Sequence, residues 1–171
     1  YNNSLGGYSM YNATTGNDYN VALGHNAMRG TAAYINSDYN IAIGDYALYS
    51  ISGGDNNIAL GRSSLYKNTE GIGNAAVGYY SMYDNTTGDY NTAFGYYSLA
   101  DNTLGNYNVA SGYYSLRENT EGLGNSGFGY NTLYNNLTGD YNAALGYQAG
   151  YSALGDKNVF IGYQAGYNET G

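Results

Sequence analysis

The chain says nearly the same thing ten times. A glycine recurs at Gly6, Gly24, Gly44, Gly61, Gly78, Gly95, Gly112, Gly129, Gly146 and Gly162, at steps of 18, 20, 17, 17, 17, 17, 17, 17 and 16 residues. Four residues before each stands an asparagine: Asn2, Asn20, Asn40, Asn57, Asn74, Asn91, Asn108, Asn125, Asn142 and Asn158. A fixed period of this length is the signature of stacked supersecondary units and has to be read before any helix or strand. One such unit buries too little apolar surface to offset the entropy of ordering its backbone, so stability must come from one copy stacking on the next. The expectation is an all-β fold over residues 1–171 as a single repeat domain: a parallel β-solenoid, or β-roll, of about ten coils of 17 residues. At a rung spacing of about 4.8 Å such a rod is on the order of 50 Å long.

Around each asparagine the pattern has period two. A β-branched residue often follows it (Val21, Ile41, Ile58, Thr92, Val109, Val159), then alanine (Ala22, Ala42, Ala59, Ala76, Ala93, Ala110, Ala144), then a large apolar residue (Leu23, Ile43, Leu60, Val77, Phe94, Phe128, Leu145, Ile161). This predicts a short strand with the large residues facing inward and alanine forming a flat strip. The strip either lets a second rod approach or simply fits a tight interior. After the glycine, "GYYSM" or "GYYSL" brings up a second apolar file, Met28, Leu48, Leu65, Met82, Leu99, Leu116 and Leu133, read as a second short strand. Segments such as "DNTTGD" and "ENTEGL" supply the turn residues. Stacking would place the asparagines one rung apart, their amides donating to the next rung's carbonyls as a structural ladder. The register is disturbed at "RGTAAYINS", at Gly150 and Gly166 in "GYQAG", and at Ser111 and Phe160.

The segments "NTAFGYYSL", "NAALGYQAG" and "NVFIGYQAG" resemble the Asn-x-Ala-Ile-Gly repeats of trimeric autotransporter adhesin heads. They are still more similar to the repeats of tail fiber proteins of phages and environmental bacteria. The resemblance runs over essentially the whole chain. It implies a left-handed parallel β-roll, often with three chains side by side, on the surface of a cell or virion. The adhesin-head coil is shorter because it lacks the "NTxGDY" turn.

Chemistry is sparse. Thirteen acidic residues against five basic give a net charge of −8, with no basic stripe to neutralise phosphates, so neither nucleic acid nor an anionic membrane surface is an expected partner. No run of about 18 apolar residues suggests membrane insertion. Cysteine is absent and His25 is the single histidine, in a column where six other coils place tyrosine; no metal, cofactor or catalytic residue is expected. Asp18, Asp38, Asp55, Asp89, Asp140 and Asp156 recur just ahead of the asparagines, which fits a turn carboxylate accepting backbone N–H groups better than an acid/base pair. Tyr79, Tyr96, Tyr113, Tyr130, Tyr147 and Tyr163 would form an aromatic strip, either a stabilising ladder or a surface that packs on a neighbour or on carbohydrate. Asn-x-Ser/Thr triplets at Asn2, Asn12, Asn85, Asn136 and Asn168 are candidate glycosylation sites on exposed turns.

The expected role is that of a structural component of an extracellular fibre or filament, at a cell or virion surface, self-associating end to end or as a trimer. The rival is an adhesin or tail-fibre head that binds surface glycans through its Tyr and Asn columns. An enzyme is not expected. The terminal stretches "GYNETG" and "YNNSLGG" read nearly in phase when joined, as in a longer array or in subunits stacked coil on coil.

Overall fold

The computed structural model describes residues 1–13, 16–31 and 36–168. Ten strands of three residues each carry the ten motifs: β1 (Asn3–Leu5), β2 (Val21–Leu23), β3 (Ile41–Ile43), β4 (Ile58–Leu60), β5 (Ala75–Val77), β6 (Thr92–Phe94), β7 (Val109–Ser111), β8 (Ser126–Phe128), β9 (Ala143–Leu145) and β10 (Val159–Ile161). They form one parallel sheet in sequence order. Its register pairs like with like, Ala76 on Ala93 and Ala93 on Ala110. The fold is the parallel β-solenoid, and no α-helix occurs among the described residues.

The strand faces are the reverse of the expected ones. Ala22, Ala42, Ala59, Ala76, Ala93 and Ala110 are fully buried, whereas Leu23, Ile43, Phe94, Phe128, Leu145 and Ile161 point outward and are exposed. The coil is narrow, and the Met28, Leu48, Leu65, Met82, Leu99, Leu116 and Leu133 side chains occupy its interior with the alanines in one continuous core. Opposite those long side chains there is room only for a methyl group. Hydrophobicity alone put the larger residue inside, but the core's thickness decides which of two apolar faces enters it.

The second apolar file is interior, yet it is not a strand. Met28, Leu48, Leu65, Met82, Leu99, Leu116 and Leu133 all have left-handed backbones, with φ between 48° and 52°, and so does the residue two positions earlier, as at Tyr80, Tyr97 and Tyr114. That alternation turns the chain while keeping its N–H groups along the rod axis. Leu99 N–H donates to Ser115 O at 2.9 Å on the next coil, and Tyr97 N–H to Tyr79 O at 3.0 Å on the previous one. Each left-handed non-glycine residue costs roughly 1–2 kcal/mol, and the inter-coil hydrogen bonds hold it there.

Two exceptions in the sequence explain each other. Phe160 sits in the alanine column, and the leucine column has shrunk to Gly150 and Gly166 on either side of it. A Cβ added at Gly150 would lie 2.7 Å from the Phe160 ring, and one at Gly166 would overlap it. The phenyl ring thus fills the space that two leucines vacate. Of the insertion "RGTAAYINS", residues 32–35 lie outside the described residues, as do residues 169–171 of the closing "GYNETG".

Candidate functional site

Two corners of the coil carry polar chemistry into the interior. At the first, the asparagines of the repeat stand in file, and Asn20 through Asn142 are buried. Each Oδ1 accepts the backbone N–H of the next asparagine: Asn91 N–H to Asn74 Oδ1 at 2.9 Å, Asn108 to Asn91 at 2.9 Å, Asn125 to Asn108 at 2.8 Å. Each Nδ2 donates to a turn carbonyl of the following coil, as in Asn74 to Gly88 O at 2.7 Å and Asn91 to Gly105 O at 2.8 Å. At the ends of the file Asn2 is exposed and Asn158 half-buried. Asn2 Oδ1 accepts Asn20 N–H at 2.9 Å, and Asn158 N–H reaches Asn142 Oδ1 at 2.9 Å. Both hydrogen-bonding ends of a buried amide are thereby satisfied by backbone, which is the condition for placing it in a core.

A second asparagine file, unread in the sequence as a ladder, runs parallel to the first. Asn85 Nδ2 donates to Asn68 Oδ1 at 2.7 Å, Asn102 to Asn85 at 2.7 Å, Asn119 to Asn102 at 2.9 Å and Asn136 to Asn119 at 3.1 Å. Here amide bonds amide, and each Nδ2 also reaches its own turn glycine, as in Asn102 to Gly105 O at 3.0 Å. The signal was available, since these residues recur at a step of 17 through five coils. Their neighbours Thr, Gly and Asp made the segment look like an exposed turn. The candidate acceptors Asn85 and Asn136 consequently have no exposed side chain to modify; both are buried with their amides engaged. Asn2 and Asn168 are exposed and Asn12 is half-buried.

Glycine makes the close stacking of both corners possible. Gly112 has φ 140°, and a Cβ there would overlap the Gly129 carbonyl oxygen one coil on, with the carbonyl carbon only 2.7 Å away. The turn carboxylates are also structural. Asp55 Oδ1 accepts Asp38 N–H at 2.8 Å and Asp156 Oδ1 accepts Asp140 N–H at 2.8 Å, so they cap backbone donors of the preceding coil.

The outer surface has two unlike faces. On the sheet side the outward residues of β2 to β10 include no charged side chain, and Phe94 and Leu145 are about half exposed. Near β10 this face holds a hollow of about 110 Å³ between Ser126, Phe128, Ala143, Leu145, Val159 and Ile161. On the other side Tyr79, Tyr96, Tyr113, Tyr130, Tyr147 and Tyr163 stack in one file, ring centroids 5.0–5.4 Å apart and planes within 10°. Tyr49, Tyr66 and Tyr83 form another, at 4.9 Å. Tyr113 is held by a hydrogen bond to Tyr114, which with desolvation and neighbouring phenols pushes its hydroxyl up to about 12. Desolvation likewise raises Tyr66, Tyr83, Tyr97 and Tyr151 above the ordinary phenol value.

His25 is partly exposed and lies 3.3 Å from Asp45 Oδ1. Among the described residues no three His, Cys, Asp or Glu side chains converge as metal ligands, and no helix is long and apolar enough to cross a membrane. Comparison with protein-family models, curated proteins and solved structures finds no match to this chain.

Proposed function

We propose that the chain is a structural rod of an extracellular fibre, on the surface of a cell or virion, in which repetition supplies length and stiffness. The observation that carries this reading is the unbroken register of ten strands, with an amide file and a glycine column locking each coil to the next and a second amide file running through five of them. Such a rod resists bending because every coil is tied to its neighbours through backbone and side chain together. The likeness to adhesin-head and tail-fiber repeats points the same way. At β1 and β10 the sheet is paired on one side only, and a second copy of the chain adds its coils there.

Laterally, the uncharged apolar face of the sheet packs against a second rod. Parallel sheets are ordinarily covered on both faces, and a partner whose side chains repeat at the same rung spacing is another copy of this chain. Electron micrographs of the purified protein should show filaments or bundled rods, and light scattering a mass above that of one chain. Phe94→Lys with Phe128→Lys should reduce that mass while leaving the circular dichroism spectrum unchanged. A wild-type protein that stays monomeric and shows no filaments at high concentration contradicts both parts of the reading.

A second reading, adhesion to surface glycans, is favoured by the exposed tyrosine files: Tyr96, Tyr113 and Tyr130 each leave more than a third of their surface to solvent. A glycan array with selective hits supports it. A pure spacer gives none.

A further inference from the structure

Between Tyr46 and Tyr114 one tyrosine column is interrupted at a single coil, and the interruption is a cavity. Where the neighbouring coils read "GDYAL" and "GYYSM", the fourth reads "GRSSL", so Arg62 and Ser63 replace tyrosines. Ser63 lies in file between Tyr46 on the coil before and Tyr80 on the coil after. Its missing ring leaves a hollow of about 240 Å³ lined by Tyr46, Arg62, Ser63, Tyr66, Tyr80 and Tyr83. The walls are ordered: Tyr66 and Tyr83 stack at 4.9 Å, and Tyr80 stacks on Tyr83 at 4.6 Å. Ser63 forms the floor, 4% exposed, with its N–H held by Asp45 O at 2.9 Å.

In the same column an amide side chain stands in for tyrosine at Asn26, Asn131, Gln148 and Gln164, and in a neighbouring file arginine fills two further gaps. Arg29 takes a tyrosine position between coils, and its guanidinium lies 5.6–5.7 Å from the rings of Tyr8, Tyr11 and Tyr49. Arg117 does the same among Tyr97, Tyr114 and Tyr134, at 5.6–5.8 Å. Arg62 behaves differently. It stands in the outer tyrosine column, over Tyr79 at 6.0 Å and with Nε 3.9 Å from Asp45 Oδ2, and its side chain is 57% exposed. It therefore borders the hollow instead of plugging it.

We propose that this slot binds one pyranose ring of a carbohydrate. The proposal rests on the glycan-binding reading and gives it a place. A pyranose has two C–H faces and a rim of hydroxyls. Tyr46 and Tyr80 border the slot one rung on either side, with Tyr46 tilted 48° to Tyr66 and Tyr80 within 12° of Tyr83, so it narrows toward one C–H face, and the guanidinium of Arg62, the Ser63 hydroxyl and the surrounding phenols meet the rim. Arg62 brings only donors, which the hydroxyl oxygens of a sugar accept as directed hydrogen bonds, whereas an inserted phenyl or indole would offer the guanidinium only its ring face. The volume is below the roughly 300 Å³ at which drug-sized pockets begin, so the slot takes a single ring and the rest of the glycan runs over the open tyrosine files.

Saturation-transfer NMR with methyl glucopyranoside and methyl glucuronide, and with phenol as the aromatic control, tests this on the intact chain. Glycoside binding with a Kd of about 1 mM is expected. Ser63→Tyr should weaken it at least about tenfold, because it restores the ring that Tyr46 and Tyr80 supply on either side. That substitution fits the backbone, since Ser63 (φ 55°) shares the left-handed conformation of Tyr46 and Tyr80. An unchanged melting temperature checks that the fold survives. Arg62→Ala should weaken binding without filling the slot. Equal glycoside binding in wild type and Ser63→Tyr overturns the slot while leaving glycan adhesion elsewhere on the surface standing. Preference for phenol, or no glycoside binding at all, also overturns it, and rods seen by electron microscopy are unaffected by either result.

Discussion

The file of Asn91 and the file of Leu99 both run through the interior, and at their middle coils both are sealed from water: Asn91 and Leu99 are each 0% exposed. Their tolerance of change differs completely. The leucine file accepts Met28 and Met82, and it gives way to Gly150 and Gly166 where Phe160 fills the space. The asparagine file accepts nothing but asparagine through ten coils. A leucine there contributes volume, which other side chains can supply. An asparagine contributes an acceptor aimed at one backbone N–H and a donor aimed at one carbonyl, two atoms apart. Aspartate lacks the donor, serine the reach, and glutamine carries an extra methylene. Burial alone does not make a position specific; direction does.

The steepest loss is expected where neither volume nor direction can adjust. Gly112→Ala forces a left-handed φ of 140° on a side chain and drives its Cβ into the Gly129 carbonyl, backbone against backbone. Destabilisation on the order of 4 kcal/mol is expected, read as a fall in the urea midpoint of unfolding. A loss under about 1 kcal/mol would mean that the coils stand further apart than described.

The contrast between the two files is sharpened by a pair of near-isosteric changes. Asn91→Asp keeps the acceptor for Asn108 N–H but turns the former donor toward the Gly105 carbonyl as a buried charged oxygen. We expect a cost of roughly 3 kcal/mol at neutral pH. Burial favours the protonated form of the new carboxyl, so its folded-state pKa is raised. The deficit should therefore shrink as pH falls through that range, because the protonated group can again donate to Gly105. Leu99→Met, by comparison, should cost less than about 1.5 kcal/mol. Equal losses in the two variants at neutral pH would erase the distinction between volume and direction.

Much of this was legible in the primary structure because a solenoid makes stacking neighbours of residues one period apart. The phase of Asn91 and Gly95 fixed the coil length and the parallel register, and the turn role of Asp38 and Asp140 followed from their place in it. Periodicity is silent, however, on which way a column faces. Ala93 and Phe94 alternate as any strand would, and only the width set by Leu99 and Leu116 across the interior sends the alanine in. Nor does apolar character reveal backbone conformation. Leu99 has a left-handed φ of 52°, an unfavourable choice for leucine, made acceptable by hydrogen bonds to the neighbouring coil. Asn102 was hidden by its company, since an Asn-Thr-Leu-Gly segment looks like a surface turn until a buried amide is traced through it. The slot at Ser63 was visible only as a lapse in "GYYSL". Its significance depends on Arg62 leaving the space open, which is a matter of side-chain placement.

The tyrosine side can be separated from the asparagine interior by alkali, since amides do not titrate and phenols do. Tyr113 is pushed up to about 12 from an ordinary value of 10.0, first by its hydrogen bond to Tyr114 and then by desolvation and the nearby phenols. Because the folded chain holds this proton more tightly than the unfolded one, the unfolded state binds fewer protons between those values. Stability is then intact below pH 10 and declines as pH rises toward and through about 12. Tyr66, Tyr83, Tyr97 and Tyr151 are shifted in the same direction, by desolvation first, and reinforce the decline. Phenolate absorbance followed alongside circular dichroism should show part of the tyrosine population titrating late, together with loss of the β signal. Tyr114→Phe should bring the Tyr113 step down while leaving the spectrum near neutral pH unchanged. If every phenol instead ionises near 10 with the β signal untouched, the aromatic files are surface decoration and the amide corners alone hold the coils together.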